Sequence, residues 1–133
     1  MLYLDSSALV KLVVVETETP ALLDYLRSRP RIPVVTSSLA RVELARAARR
    51  TGDRQSESVT QVLSSVDQIP ISNRLLDEAG RLDPLGLSSL DAIHLASAQR
   101  IARALIALVA YDVRLRDAAR DAGLPVAAPG ASR

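Results

Sequence analysis

Short apolar runs alternate with amphipathic segments along this chain of 133 residues. The apolar runs at residues 1–4, 32–35 and 105–111 have the length and composition of buried strands. Each is followed by residues that favour helix starts and then by apolar positions at helical spacing. Strands that alternate with helices predict a parallel sheet covered on both faces. The pattern therefore indicates an α/β fold.

The segments between these runs supply the predicted helices. We expect them at residues 8–15, 21–28, 54–66, 73–82 and 113–122, with one more after Thr36-Ser37-Ser38 and one opening at Ser88-Ser89-Leu90-Asp91. The helix after residue 38 has apolar positions Leu39, Val42, Ala45 and Ala48, and Gly52-Asp53 ends it.

Two further apolar pieces complete the sheet. Residues 69–71 form a short extended piece, and residues 124–126 form an edge strand, where proline is tolerated. This predicts a central, mostly parallel sheet of four or five strands flanked by about seven helices. We assign residues 1–126 to a single domain and residues 127–133 to a flexible C-terminal tail.

The composition excludes several kinds of protein. Hydrophobic residues make up 48% of the chain, which is enough for one core. The chain has no cysteine, which excludes disulfides and thiolate metal sites, and its single histidine excludes a multi-histidine zinc site. No apolar stretch approaches the roughly 18 residues of a membrane helix, so we expect a soluble, cytoplasmic protein.

The charged residues favour a phosphate or carboxylate partner. The formal net charge is +2, and only one of the 17 basic residues is a lysine. Arginine's planar guanidinium suits such partners, although codon bias and a solvated surface explain the count equally simply. With three tyrosines as the only aromatic residues, stacking on nucleobases would be limited. A nucleic acid would therefore be contacted mainly through its phosphates.

Four acidic side chains fall where an α/β fold would bring them together. Asp5 and Asp112 follow predicted strands, whereas Glu43 and Asp91 lie near the starts of predicted helices. In an open parallel sheet, the carboxyl ends of strands and the amino ends of the following helices share one edge, where ligands bind. Two carboxylates about 4 Å apart repel by roughly 4 kcal/mol at an effective dielectric of 20. Raised pKa values, arginine or a divalent metal would relieve this repulsion, and oxygen ligands favour Mg²⁺ or Mn²⁺.

Taken singly, each acid also has a purely structural explanation. Asp5 suits a turn, Asp91 the first turn of a helix and Asp112 a helix N-cap. Glu43 could form an intrahelical ion pair with Arg46 or Arg50. Alternatively, Glu43 is a metal ligand and these arginines are directed at a substrate phosphate.

Two polar residues beside the acids have similar alternatives. His94 lies one turn after Asp91, so it is either a hydrogen-bonding residue behind the site or a substrate contact. Ser6 either orients a ligand carboxylate or a metal-bound water, or simply caps a helix.

Four motifs are familiar as a set. They are YLDSSALVKL at residues 3–12, SLARVEL at 38–44, LDAIHLASA at 90–98 and YDVRL at 111–115. Together they resemble the PIN-domain ribonucleases, and more narrowly the VapC toxins of bacterial type II toxin–antitoxin pairs. The resemblance covers nearly the whole chain in the right order.

The resemblance implies a PIN-like three-layer fold and a ribonuclease that uses Mg²⁺ or Mn²⁺ to hydrolyse RNA. It gives Asp5, Glu43, Asp91 and Asp112 the catalytic and metal-binding roles. The expected partners are RNA, a cognate VapB-type antitoxin and a second copy of the chain, with larger toxin–antitoxin assemblies. Ala110 departs from relatives that carry threonine or serine there, which puts one contact behind the metal site in doubt.

Two other functions compete with a ribonuclease. A receiver domain of two-component signalling also has an acidic magnesium pocket, but it needs an aspartate after its middle strand and a late lysine. Here Thr36-Ser37-Ser38 follows that strand and Lys11 is the only lysine, so this class does not fit. A catalytically inactive PIN-like module that binds RNA or protein is the remaining alternative.

Overall fold

The chain folds as an alternation of strands and helices. A computed structural model describes residues 1–52 and 56–132, with Ser56 described by its backbone alone. Within these residues the elements are β1 (Leu2–Leu4), α1 (Ser6–Val13), α2 (Thr19–Arg27), β2 (Val34–Ser37), α3 (Ala40–Arg50), α4 (Ser56–Ser64), β3 (Asp67–Ile69), α5 (Asn73–Gly80), α6 (Ser89–Arg100), a 3₁₀ turn (Ala102–Ala104), β4 (Ala107–Val109), α7 (Val113–Asp121) and β5 (Val126–Ala127).

The five described strands form one parallel sheet in the order β3-β2-β1-β4-β5. Strand β1 lies at the centre, where Leu2 pairs with Val34 on one side and with Ala107 on the other. The chain leaves β1 towards one edge of the sheet and later returns to pair β4 on the other side. Ligands of open α/β sheets bind at such a reversal, outside the carboxyl ends of the strands.

Side chains alternate between the two faces of the sheet and build a core on each. Leu2 and Leu4 pack in the cluster that includes residues of α1 and α3, while Tyr3 packs in the opposite cluster with residues of α6 and α7. Both faces are therefore covered by helices, and the predicted three-layer α/β architecture is confirmed.

Short polar side chains start several helices, as the sequence predicts. Asp5 is the N-cap of α1, Ser72 of α5 and Ser88 of α6, and each accepts a hydrogen bond from a backbone N–H in the first turn. Helix α1 ends at Val13, two residues before the predicted end, because Val14 adopts an extended backbone. Gly123 follows α7 with φ of +84°, which glycine adopts without strain.

The predicted position of β2 was wrong by two residues. The strand covers Val34–Ser37 rather than residues 32–35, so the polar residues expected to cap α3 belong partly to the sheet. Thr36 Oγ1 donates to the carbonyl of Leu4 at 2.7 Å, across the pair of central strands. The N-cap of α3 is Leu39, which makes no capping bond with its side chain.

The buried face of α3 differs from the apolar positions Leu39, Val42, Ala45 and Ala48 that mark this helix in the sequence. Its buried residues are Ala40, Leu44, Ala47 and Ala48. Val42 is 52% exposed. The observed stripe has i, i+4, i+7, i+8 spacing and stays on one side of a helix with 3.6 residues per turn. The apolar positions read from the sequence are three residues apart, so successive positions move around the helix axis. Only Ala48 is both one of these positions and a buried residue of α3.

Some predicted segments are shorter or displaced. Asp53, predicted to end the third helix, and Arg54, the first residue of the helix predicted at 54–66, lie outside the described residues. The third apolar run forms only β4, Ala107–Val109. Ala127, the first residue of the predicted tail, belongs to β5, and Tyr111 Oη donates to the carbonyl of Pro129. None of the helices in residues 1–52 and 56–132 has the length and apolar character needed to cross a membrane.

We expect Leu44→Ala to lower the free energy of unfolding by about 2–5 kcal/mol, because it leaves a cavity in the core. Val42→Ala on the same helix should change it by less than about 0.5 kcal/mol, because Val42 is largely exposed. Urea unfolding of both variants measures the difference. Equal losses would mean that α3 is rotated relative to the sheet described above.

Candidate active site

The four acids predicted from the sequence all lie at the carboxyl edge of the sheet. Asp5 directly follows β1, and Asp112 lies three residues after the end of β4. Leu4 pairs with Val109, and the Asp5 N–H donates to the Val109 carbonyl at 3.2 Å, so these strand ends lie side by side. Glu43 and Asp91 occupy the first turns of α3 and α6.

The carboxylates of these residues act on one another electrostatically. Asp5 is 2% exposed, and burial raises its pKa to about 6. His94 and hydrogen bonds from Ser7 and Ala8 oppose this rise, while the charge of Asp91 adds to it. Burial also raises the pKa of Asp91, followed by the charge of Asp112, with a smaller contribution from Glu43. The site therefore concentrates negative charge that the protein itself relieves only in part.

Asp5 is held by hydrogen bonds to one of its carboxylate oxygens. Ser7 Oγ donates to Oδ1 at 2.6 Å, and the Ala8 N–H donates to the same atom at 3.0 Å. Ser7 Oγ also accepts from the Tyr111 N–H at 2.9 Å. One hydroxyl thus joins the end of β1 to the loop that carries Asp112. This role of Ser7 is not evident from the sequence, where its only signal is its place in the helix-capping motif.

Glu43 is held at both of its carboxylate oxygens. Ser6 Oγ donates to Oε2 at 3.0 Å, and His94 Nε2 shares a hydrogen bond with Oε1 at 2.8 Å. Of the alternatives open for Ser6, the structure therefore shows contact with an acid of the site. In the described part of the chain, the basic side chain that contacts Glu43 is His94, and neither Arg46 nor Arg50 forms a salt bridge with it.

His94 connects Glu43 to the interior of the protein. It is buried, and its Nδ1 lies 2.7 Å from Tyr3 Oη. Burial raises the pKa of Tyr3 strongly, so its hydroxyl keeps its proton. An arrangement in which Tyr3 donates to Nδ1 and Nε2 donates to Glu43 gives each of these hydrogen bonds one proton. Tyr3 was missed because a tyrosine within an apolar strand resembles an ordinary core residue.

Asp112 both caps a helix and belongs to the acidic site. Its Oδ1 caps α7 by accepting from the N–H groups of Arg114 and Leu115, at 2.8 and 3.4 Å. Asp112 is nevertheless exposed, and its charge acts on Asp91. Helix capping therefore fixes this acid at the edge of the site.

Lys11 supports the wall of the site and was given no role from the sequence. Its ammonium group contacts Glu16 at 3.3 Å and Glu18 at 2.9 Å and lies 4.5 Å from the centre of the Tyr111 ring. Burial alone would lower the pKa of Lys11, but the hydrogen bonds to Glu18 and Glu16 outweigh it and raise the pKa. Lys11 thereby ties the α1–α2 connection to the loop before Asp112.

A cavity of about 450 Å³ opens beside Glu43. Its walls include Ser6, Ser7, Glu43, Arg46 and Arg50. Both arginines are exposed and follow Glu43 on α3. The site thus has a negative side at the ends of the strands and a positive side along α3.

The carboxylate oxygens of the site are ligands of the type that a hard divalent cation prefers, but they are not arranged to surround one. Among residues 1–52 and 56–132, no three His, Asp or Glu side chains are arranged so that they could hold a metal ion. Mg²⁺ commonly binds through one or two carboxylates and keeps several waters. Oxygen ligands and concentrated negative charge therefore suit a hydrated Mg²⁺ or Mn²⁺ rather than an ion surrounded by protein.

Comparison with known protein families identifies the kind of domain. The family described as PIN domain matches residues 2–121. The chain belongs to the PIN-domain family. This confirms the resemblance noted from the four motifs.

Similar proteins place this PIN domain beside the VapC ribonucleases. Ribonuclease VapC46 of Mycobacterium tuberculosis is 48% identical over 128 residues, covering 96% of this chain and 97% of VapC46. Ribonuclease VapC35 of the same organism is 43% identical over 135 residues, and all of both chains is covered. The recognition of a VapC-type PIN domain from the sequence is therefore confirmed.

Solved structures support the fold at much lower sequence identity. The crystal structure of M. tuberculosis VapC20, described as a Sarcin-Ricin loop cleaving toxin, has a TM-score of 0.74 and 19% identity, covering 97% of this chain and all of VapC20. VapBC2 from Rickettsia felis, bound to a promoter DNA fragment, has a TM-score of 0.73 and 16% identity, covering 97% of this chain and 99% of the matched chain. The PIN-like three-layer fold is shared with both.

We expect Asp5→Asn to stabilise the protein at neutral pH. The pKa of Asp5 rises from 3.8 to about 6 on folding, so the folded state binds more protons between these values and loses stability as pH rises through them. The loss above pH 6 is roughly 3 kcal/mol at most. Asparagine cannot ionise but keeps an oxygen that accepts from Ser7 and Ala8.

Urea unfolding at pH 4 and pH 7.5, without added divalent cations, measures this effect. The advantage of Asp5→Asn over the wild-type chain should shrink towards pH 4. Asp24→Asn, at an exposed position on α2, is the matched control. An equal difference at both pH values would contradict the assignment of the effect to ionisation of Asp5.

We expect Tyr3→Phe to lower the free energy of unfolding by about 1–3 kcal/mol, because it leaves the buried Nδ1 of His94 without its donor. Tyr25→Phe, at a half-buried position on α2, is the control and should have a smaller effect. Nitrogen chemical shifts of the imidazole should show a proton on Nε2 in the wild-type chain. A proton on Nδ1 would contradict the proposed direction of these hydrogen bonds.

Proposed function

We propose that this PIN domain is an endoribonuclease that uses Mg²⁺ or Mn²⁺ and acts as the toxin of a toxin–antitoxin pair. The main support is the cluster of four carboxylates at the edge of the sheet, of which Asp5 is buried and has a raised pKa. Unrelieved negative charge of this kind favours a divalent cation. Full-length similarity to proteins named Ribonuclease VapC supports RNA as the substrate.

In this proposal Asp5 and Asp91 hold the cation, and Glu43 and Asp112 contribute directly or through water. The two hydrogen bonds to Asp5 Oδ1 orient its carboxylate. Ser6 and His94 do the same for Glu43 from opposite sides. The acids are thus held in place before substrate binds, which avoids the cost of ordering them during the reaction.

A divalent cation at this site would supply a more acidic water and would neutralise charge that develops on the phosphate. The carboxylates would orient the attacking water and accept its proton. His94, as a donor to Glu43, keeps this carboxylate oriented. Products of this hydrolysis are two RNA fragments, one of which carries a terminal phosphate.

The proposed partners follow from the relatives. One structural neighbour is a VapBC2 complex, so we propose a VapB-type antitoxin as the inhibitor of this chain. An antitoxin arginine would complement the acidic site, because a charge-assisted hydrogen bond to a carboxylate is strong. We also propose a homodimer that joins larger toxin–antitoxin assemblies.

We expect wild-type protein to cleave RNA and to arrest growth when it is expressed without an antitoxin. Asp91→Asn should lower the rate of cleavage by at least about 100-fold, because it removes charge where the cation binds. Sequencing of RNA ends after induction checks cleavage in cells, and a chelator followed by Mg²⁺ or Mn²⁺ checks metal dependence of the purified protein.

The control for this experiment is Asp117→Asn, which makes the same change at an exposed position on α7. It should retain cleavage and growth arrest. Cleavage that survives in the Asp91→Asn protein would point to a contaminating nuclease. A folded wild-type chain that neither cleaves RNA nor arrests growth would instead favour the inactive PIN-like binding module.

A further inference from the structure

Helix α3 presents an acid and two arginines along one side. Glu43, Arg46 and Arg50 are separated by three and four residues, so they lie within about 60° of one another around the helix axis. Glu43 is directed at the acidic site through Ser6 and His94. The two arginines therefore extend from the site along the helix for about 10 Å, at 1.5 Å per residue.

Two adjoining cavities share these arginines. The first has a volume of about 450 Å³ and also includes Ser6 and Glu43. The second has a volume of about 280 Å³ and is lined by Arg46, Arg49 and Arg50. Arg46 and Arg50 line both cavities, and with Arg49 they place positive charge along α3 from Glu43 towards the end of the helix.

Two structural explanations for these arginines are inadequate. Ion pairing is one, but within residues 1–52 and 56–132 no salt bridge is formed by Arg46 or Arg50. Interaction with the helix dipole is the other, because cations are favourable in the last turn. It applies to Arg49 and Arg50 but not to Arg46, which lies before that turn. Three neighbouring like charges would also repel one another without an anionic partner.

We propose that Arg46 and Arg50 form a phosphate-binding subsite for the RNA nucleotide next to the bond that is cut. This inference rests on the ribonuclease proposed above. The guanidinium groups would hold the RNA backbone by charge-assisted hydrogen bonds, since their planar shape matches phosphate oxygens. They would also offset the repulsion between RNA and the carboxylates. The RNA backbone then follows α3 away from Glu43.

The test compares Arg46→Gln, Arg50→Gln and the double variant with Arg41→Gln. Arg41 is exposed on the same helix but lies on the side away from Glu43, so it is a matched control. Binding of a fluorescein-labelled oligouridylate in EDTA is measured by anisotropy over a range of KCl concentrations. Arg46→Gln and Arg50→Gln should each weaken binding of the oligouridylate roughly tenfold. Each should also reduce the slope of log K against log salt by about 0.7.

Lysine substitutions separate charge from shape. Arg46→Lys and Arg50→Lys should preserve the salt slope, since each still neutralises one phosphate. Thermal unfolding of every variant checks that α3 is intact.

Three outcomes would overturn the subsite. They are a double variant that binds like Arg41→Gln, an Arg41→Gln protein as weak as the double variant, and wild-type protein that does not bind the probe. Cleavage by the wild-type chain is measured separately, so loss of the subsite and failure of the ribonuclease proposal are distinguishable.

Discussion

Repulsion between carboxylates at the carboxyl edge of the sheet is the constraint on which this site depends. Two such groups about 4 Å apart repel by roughly 4 kcal/mol at an effective dielectric of 20, a sizeable part of a domain's stability of about 5–15 kcal/mol. Burial raises the pKa values of Asp5 and Asp91, and the charges of neighbouring carboxylates add to both shifts. Backbone pairing between β1 and β4 fixes the two strand ends beside each other in spite of this repulsion.

Hydrogen bonds from neighbouring hydroxyls and an imidazole keep the acids in place. Ser7 orients Asp5, while Ser6 and His94 hold the two oxygens of Glu43. Tyr3, which is buried in the core, forms a hydrogen bond with the same His94 that holds Glu43. Orientation of the charged rim is therefore coupled to packing at the centre of the domain, and a core substitution can disturb the site without touching an acid.

The sequence predicts those parts of the site that depend on local pattern. Asp5 and Asp112 could be placed because each follows an apolar strand and precedes a helix that it caps. The register of β2 could not be placed, since Thr36 bonds to Leu4 across the sheet rather than to its own helix. The Tyr111–Ser7 contact spans 104 positions in the chain, so no local pattern indicates it. The buried face of α3 does not follow the apolar positions read from the sequence, because residues three apart stay on one side of a helix only over short distances.

Because β1 pairs with β4, the acidic site can form only after β4 has been synthesised. Its neighbour β4 lies more than 100 positions later in the chain, and Asp112 comes later still. During synthesis the first strand is made long before the partner that completes its surroundings. A polypeptide that stops short of β4 has neither the last acid nor the backbone amide that Ser7 accepts from. Assembly of the acidic site is thus delayed until the domain is nearly finished, so incomplete chains lack part of it.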